Sequence, residues 1–305
     1  MIPSSCNACG GQLQLRFSSV VDAQTRETFS ILECQTCGLG HTSPQPVCLN
    51  SYYGETYHGN RHGRTAAFCA RRRVRLLSKV MGIGARRRLL DIGCGDGTFL
   101  LRAREKGWQV AGTEMNPQIA REAGLDVFES LAEAHQFAPF HCITLWHSLE
   151  HMRDPRAVIE SVKSALAPTG SLIIAVPDAD GLQARAFKEN WLHLDVPRHL
   201  YHFGKGSLAC LLDHAGFKVV RYWHQELEYD LLGWSQSALN RLMPMPNIFF
   251  NQLMGRCVEV GDGLARANYV LGAALTGLAL PVVTASTLSK CGGTLITVAR
   301  HKEDN

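Results

Sequence analysis

From Leu89 onward, short apolar runs alternate with amphipathic stretches. The runs at 88–92, 108–113, 125–128, 140–146, 170–176, 217–223 and 293–300 have strand length and are separated by turn-forming residues. Between them, 97–106, 116–123, 156–166 and 206–214 place apolar residues at helical spacing. Strands alternating with helices predict an α/β fold in which helices cover both faces of a parallel sheet.

The pattern before Leu89 is different. Alternation in Gln12–Phe17 and again in Phe29–Glu33 predicts two strands of a small β-rich module over 1–45, closed by Pro44 and Pro46. Residues 46–84 read as a linker rich in Tyr, Gly, Asn and His over 47–62, then a leading helix over 65–81 with Phe68, Val74, Leu76, Leu77, Val80 and Met81 at roughly helical spacing. The main core is expected over 85–223 and its last strand and tail over 293–305. The interval 224–292 is too long for a connection and predicts a helical insertion before the last strand. Within it, Ala267–Ser289 carries no charge. That stretch is open to three readings: a buried helical lid, an interfacial hairpin touching a membrane, or a spanning helix.

Composition narrows the class. Hydrophobic residues make up 46% and charged residues 19%, which predicts a packed core rather than disorder. A net charge of +4 over 305 residues is too mild to imply nucleic acid. Arginines cluster at 71–73 with Arg75 and at 86–88, and read as a solvated helix face and its exit loop, with contact to phosphate, anionic lipid or a sugar nucleotide as the alternative. The first residues show neither a basic start nor an apolar run, which predicts a cytosolic protein. Eleven cysteines there are expected to be ligands and core residues, not disulfides.

Four cysteines have a distinctive spacing. Cys6 and Cys9, then Cys34 and Cys37, give C-x2-C-x24-C-x2-C, with a glycine after each pair. Two such knuckles can turn four thiolates onto one tetrahedral ion, which predicts structural zinc in a zinc ribbon. A redox dithiol and a four-thiolate iron site are the alternatives.

The stretch Leu89–Leu100 runs an apolar strand into Gly93–Cys94–Gly95–Asp96–Gly97 and then into a helix. Such glycines let backbone approach a ligand that side chains would exclude. The next strand ends in Glu114, nineteen positions after Gly95, where a carboxylate can accept hydrogen bonds from ribose hydroxyls.

These residues resemble the class I methyltransferase superfamily. The likeness rests on Asp91-x-Gly93-Cys94-Gly95-x-Gly97, on the acid Glu114, on Phe140–Pro155 with its Leu149–Glu150–His151, and on the Leu166-x-Pro168-x-Gly170 turn. It covers about 85–222 and points to the ubiquinone-pathway-like, small-molecule branch. It implies a Rossmann-like seven-stranded sheet with an antiparallel last strand, and S-adenosylmethionine as methyl donor. By motif position, Asp91, Gly93, Cys94, Gly95 and Gly97 would line the cofactor, Asp91, Gly93 and Gly95 at its methionine end. Glu114 would take the ribose and Met115 would pack beside adenine, with the turn at 129–131 nearby. Trp146 would sit where cofactor and acceptor meet. His141 departs from the acid often found there.

Methyl transfer to a hydroxyl needs alignment and a base. His147, Glu150 and His151 are candidates; His147 and His151 would share a face if the segment were helical. Related quinone-pathway enzymes carry acids and a histidine here that can hold a divalent ion, with His147 replacing the first acid. A second cluster, Trp191–Phe203, looks like that of bacterial methyltransferases encoded with surface-polysaccharide enzymes. Arg198 is a candidate clamp for phosphate or carboxylate. His193, His199 and His202 are candidates for proton transfer, the alternative for each residue of the cluster being a buried polar network that anchors the loop over the cofactor. The leading expectation is methylation of a small molecule or a glycan or lipid-linked intermediate. An RNA methyltransferase using the ribbon for recognition, and a non-catalytic cofactor-binding or membrane-associated adaptor, are the other readings.

Overall fold

The computed structural model describes residues 3–53, 65–82, 87–224, 226–243, 245–256 and 260–302. The linker residues 54–62, Arg86 and the tail 303–305 lie outside the described residues. The chain forms two compact units, one from 1–60, 177–210 and 223–295, the other from 61–176, 211–222 and 296–305.

In chain order the strands begin with β1 (Leu13–Val21), β2 (Thr28–Cys34) and β3 (Gly40–Ser43), followed by helix α1 (Ala66–Met81). Next come β4 (Arg88–Ile92), α2 (Thr98–Arg104), β5 (Gln109–Thr113), α3 (Gln118–Glu122) and β6 (Asp126–Phe128). Then follow α4 (Leu131–Ala134), β7 (Phe140–Trp146), α5 (Pro155–Ala165), β8 (Leu166–Pro177) and α6 (Leu182–Phe187). The rest are β9 (Tyr201–His202), α7 (Lys205–His214), β10 (Phe217–Trp223), α8 (Leu227–Leu242), α9 (Ile248–Leu253), α10 (Asp262–Leu288) and β11 (Thr294–His301).

In the first unit β1, β2, β3 and β9 form one antiparallel sheet. Its inner face buries Val20, Phe29 and Ile31 against Ala179, Ala184, Trp191, Leu194 and Val196. The shared core explains why 177–210 joins the N-terminal module, although it is contiguous in sequence with the expected 85–223 block. The block 85–223 is thereby divided between units, and 46–84 is divided as well. Strands β3 and β9, of four and two residues, are too short to show an alternation and are absent from the sequence reading.

The insertion forms α8, α9 and α10, with α10 packed on α8 and α9. Ala267–Leu288 lies in one continuous helix running through Pro281, so the hairpin is not formed. Most of that helix is exposed, so it is not a buried lid. Asn240 ties α8 down: its Nδ2 donates to Asn190 O and Asn247 Oδ1, while its Oδ1 accepts from Gln236 Nε2 and Asn247 N.

In the second unit the sheet order is β10-β11-β8-β7-β4-β5-β6, with β4/β5, β4/β7, β5/β6 and β7/β8 parallel. The central strands are covered on both faces, so Leu89, Leu90, Ile143, Leu145 and 172–176 are buried without alternation. Asp154 caps α5 by accepting from Ala157 N, with Pro155 in the first turn. The chain runs outward from β4 through β5 to β6, then returns to the other side of β4 as β7. That reversal opens a crevice at the carboxyl ends of β4 and β7, where sheets of this kind bind ligands.

Candidate functional site

The crevice is built from the Gly-rich turn. Gly93 N and Cys94 N both donate to Thr113 O, pinning the exit of β4 to the end of β5. Gly93 has φ 75°, and a Cβ there would lie 2.6 Å from Ser148 Cβ, so only glycine lets Ser148 reach over to donate to Ile92 O at 2.7 Å. Gly95 has φ 58° and nothing within 4 Å of its Cβ position, leaving its backbone open. Gly97 is the left-handed N-cap of α2.

Glu114 closes the turn. Its carboxylate accepts from Gly95 N at 2.8 Å and from its own neighbour Met115 N at 2.9 Å. The acid expected to hold a ribose therefore lies against the glycine turn, bonded to its backbone. Met115 is exposed beside it. The cradle is backbone and carboxylate, with no side chain filling the Gly95 position, and its donor set fits a nucleoside cofactor.

Asp91 lies beneath, fully buried, and accepts from Thr144 Oγ1 at 2.6 Å. Burial pushes its carboxyl up to about 7 and nearby Glu114 adds to the rise, against the pull of Thr144 and Arg73. Arg73 was missed by the sequence reading, which placed the whole arginine run on a solvated face. Arg71 and Arg75 do lie there, but Arg73 is 6% exposed, its guanidinium 5.0 Å from the ring centroid of Trp146. The signal was present: Arg73 is four residues from both Cys69 and Leu77, on the buried face of α1.

Trp146 ends β7, its ring edge-on to Phe99. His147 follows at φ 50°, and only Leu149–His151 forms a helical turn, of 3-10 type. The helical face expected for His147 and His151 is therefore not formed. Instead His147 Nδ1 lies 3.6 Å from Glu150 Oε1, both side chains buried.

The second cluster belongs to the other unit and is a buried polar network. Arg198, 2% exposed, donates through Nε and Nη2 to Asp195 Oδ1, through Nη2 to Asp22 Oδ1 at 2.7 Å, and through Nη1 to Tyr52 O. The guanidinium considered for a phosphate is thus engaged by carboxylates, and Asp22 is a partner the motif did not reveal. His199 Nδ1 donates to His193 O at 2.8 Å. Thr42 Oγ1 donates to His199 O, so His202 Nε2 donates to Thr42 Oγ1. His193 packs edge-on to Trp191, its Nε2 3.4 Å from Tyr229 O.

In the N-terminal module the two Cys-x2-Cys turns match. Gly10 N donates to Cys6 O and Gly38 N to Cys34 O, with φ 74° and 77°. All four Sγ atoms lie within 4.8 Å of one another, and Cys6–Cys37 and Cys9–Cys34 are each 3.5 Å apart.

A family model described as a methyltransferase domain matches residues 60–222. The ubiquinone biosynthesis O-methyltransferase of Idiomarina loihiensis is 31% identical over 153 residues, 44% of this chain and 63% of that protein. That of Xanthomonas campestris is 31% identical over 100 residues, 29% of this chain and 42% of that protein. The chain thus spans between two fifths and two thirds of these curated relatives. Among solved structures, phosphoethanolamine N-methyltransferase 2 of Haemonchus contortus, in complex with phosphomonomethylethanolamine and S-adenosylhomocysteine, has a TM-score of 0.53 at 14% identity. It covers 96% of this chain and 70% of that one, a likeness of fold. With its family model, its sheet order and its Gly-rich turn in agreement, the chain belongs to the methyltransferase-domain family and has the class I, S-adenosylmethionine-dependent fold.

Proposed function

We propose that the protein transfers a methyl group from S-adenosylmethionine to a small molecule or to a glycan intermediate carried on a nucleotide or lipid. One observation carries the reading: the Glu114 carboxylate faces Gly95 N across an open glycine turn at the switch point of the sheet. Glu114 would hold the ribose hydroxyls, Gly93, Cys94, Gly95 and Gly97 would shape the turn around the donor, and Met115 would lie against the base. Asp91 and Arg73 would serve the amino-acid end, an acid and a cation for groups of opposite charge. The donor supplies an electrophilic methyl group. His147, 3.6 Å from Glu150, would take the proton of a hydroxyl acceptor, with His151 as the neighbouring candidate. His193, Arg198 and His199 would act as positioning residues, since their polar atoms meet protein groups. The relatives' names place them in ubiquinone biosynthesis, which favours a small-molecule acceptor over RNA. The protein would work in the cytoplasm, with peripheral membrane contact through 267–289 when its acceptor is lipid-linked.

Glu114→Ala is expected to weaken S-adenosylhomocysteine binding by about 1–3 kcal/mol, from lost charged hydrogen bonds. Isothermal titration checks this, and unchanged affinity would remove Glu114 from the site. Methyl transfer from labelled donor into fractionated cell extract would identify the acceptor.

Structural zinc at Cys6, Cys9, Cys34 and Cys37 is part of the same proposal. A tetrahedral ion with Zn–S near 2.3 Å sets sulfurs about 3.8 Å apart, close to the spacing here. The purified protein is expected to hold one zinc per chain by mass spectrometry, with Cys34→Ser losing it. Amide protection should then collapse in β1–β3 and persist in β4–β8. Full zinc retention in Cys34→Ser would remove that cysteine from the ligand set.

A further inference from the structure

Helix α10 has its polarity reversed. The side facing the protein carries Asn268, Gly272, Ala279, Val283 and Ser286, small or polar residues. The outward side carries the large apolar ones, with Val270, Leu278 and Leu288 exposed at 69%, 70% and 79%. Seven of the eighteen exposed large apolar side chains among the described residues lie on this one helix. A helix at a protein–water boundary shows the opposite arrangement. Small residues toward neighbouring helices and large apolar ones outward is the arrangement of helices in lipid.

Two ordinary explanations for a long apolar helix do not apply. It is not a core helix, since only 22% of its most apolar window is buried, and it lies far from the N-terminus. A second copy of the chain is also a poor occupant. At about 100° per residue, the buried stripe spans about 60° of the helix circumference, and the exposed apolar side chains spread over about 220°. A packed helix covers one sector of that arc, whereas hydrocarbon covers all of it. The charges agree: none lies between Ala267 and Ser289, and exposed Arg266 and Lys290 flank the stretch, where their long side chains can reach headgroups.

The helix cannot cross a bilayer in this fold. Helix α8 packs along it and carries Glu228, Asp230 and Arg241, which hydrocarbon would not accept. We infer that α10 lies in the plane of one leaflet with its outward arc in hydrocarbon, making the protein an integral monotopic membrane protein. This deepens the peripheral contact proposed above. It would give the enzyme access to an acceptor held in the same leaflet by a lipid tail.

The test uses the full chain, purified in detergent and reconstituted with vesicles of neutral phosphatidylcholine. The protein is expected to float with the vesicles and to stay there in 1 M NaCl (roughly a 3 Å screening length), since no headgroup charge is needed. Val270→Glu/Leu278→Glu should lower flotation by about a hundredfold or more, because an acid in hydrocarbon is costly. S-adenosylhomocysteine affinity should be unchanged in that variant, which shows it folded. Protein that stays below the vesicles, or leaves them in salt, would overturn the inference. So would a discrete detergent-free dimer that the double variant separates into monomers. Failure of flotation with nucleoside binding intact would sink the anchor alone, while lost nucleoside binding in the unmutated chain would sink the enzymatic reading alone.

Discussion

Arg198→Ala is expected to destabilise the first unit by about 3–5 kcal/mol, the cost of breaking a buried ion pair from one side. Arg198 is 2% exposed and lies between Asp22 and Asp195, both 2.7 Å from Nη2. Burial alone would raise the Asp195 carboxyl, but Arg198 outweighs it, with His199 and Arg256 assisting, and holds it well below the usual carboxylate range. A depressed folded-state value contributes stability that is present above the ordinary carboxylate value, about 4, and lost as pH falls toward the folded one. Removing the guanidinium removes that contribution and leaves two carboxylates facing a gap. Denaturant titration followed by a first-unit signal, such as Trp191 fluorescence or amide exchange in β1 and β2, measures the loss. Asp22→Asn/Asp195→Asn in the Arg198→Met background should recover much of it, since no charge is then stranded. A loss below about 1 kcal/mol would mean that water reaches the carboxylates and the network is not structural.

The network also shows where sequence reasoning stopped. The segment Trp191–Phe203 announced a polar cluster, and its histidines and arginine are indeed brought together. What the pattern lacked was Asp22, distant in sequence and lying in the turn between β1 and β2. An ion pair between distant segments has no periodicity to betray it. Strands β4, β7 and β8 were legible because each is largely a run of apolar residues buried on both faces. Strands β3 and β9 were not, being two to four residues held by pairing partners. The glycine turn and Glu114 were legible from spacing, since a βα unit fixes the distance between adjacent strand ends. The relation of His147 to Glu150 was not, because it depends on a left-handed residue that is not glycine. Arg73 was hidden by composition: three adjacent arginines look alike until helical phase separates the one that points inward.

The second large effect concerns Asp91 and reads out in pH. Its carboxyl, fully buried at the end of β4, titrates near 7 in the fold against an ordinary value of 3.8. The neutral acid is thus the form that burial favours, and its contribution to stability is fully present below about 3.8. It declines as pH rises from there to about 7 and is gone above. The difference corresponds to about 4 kcal/mol at most. The protein without cofactor is therefore expected to melt at higher temperature at pH 5 than at pH 8, after allowance for other groups. Asp91→Asn should flatten that dependence, because an amide replaces the neutral acid at every pH, and should raise the pH 8 melt. Binding should move the other way. A ligand with a cationic amino end favours the ionised carboxylate, so S-adenosylhomocysteine affinity in the unmutated chain should rise between pH 5.5 and 7.5. In Asp91→Asn it should be weaker and lack that rise. Calorimetric titration in buffers of different ionisation enthalpy would show proton release on binding only when Asp91 is present. A variant that melts and binds as the unmutated chain does across this range would mean that Asp91 stays ionised in the fold, with Arg73 and Thr144 compensating for its burial.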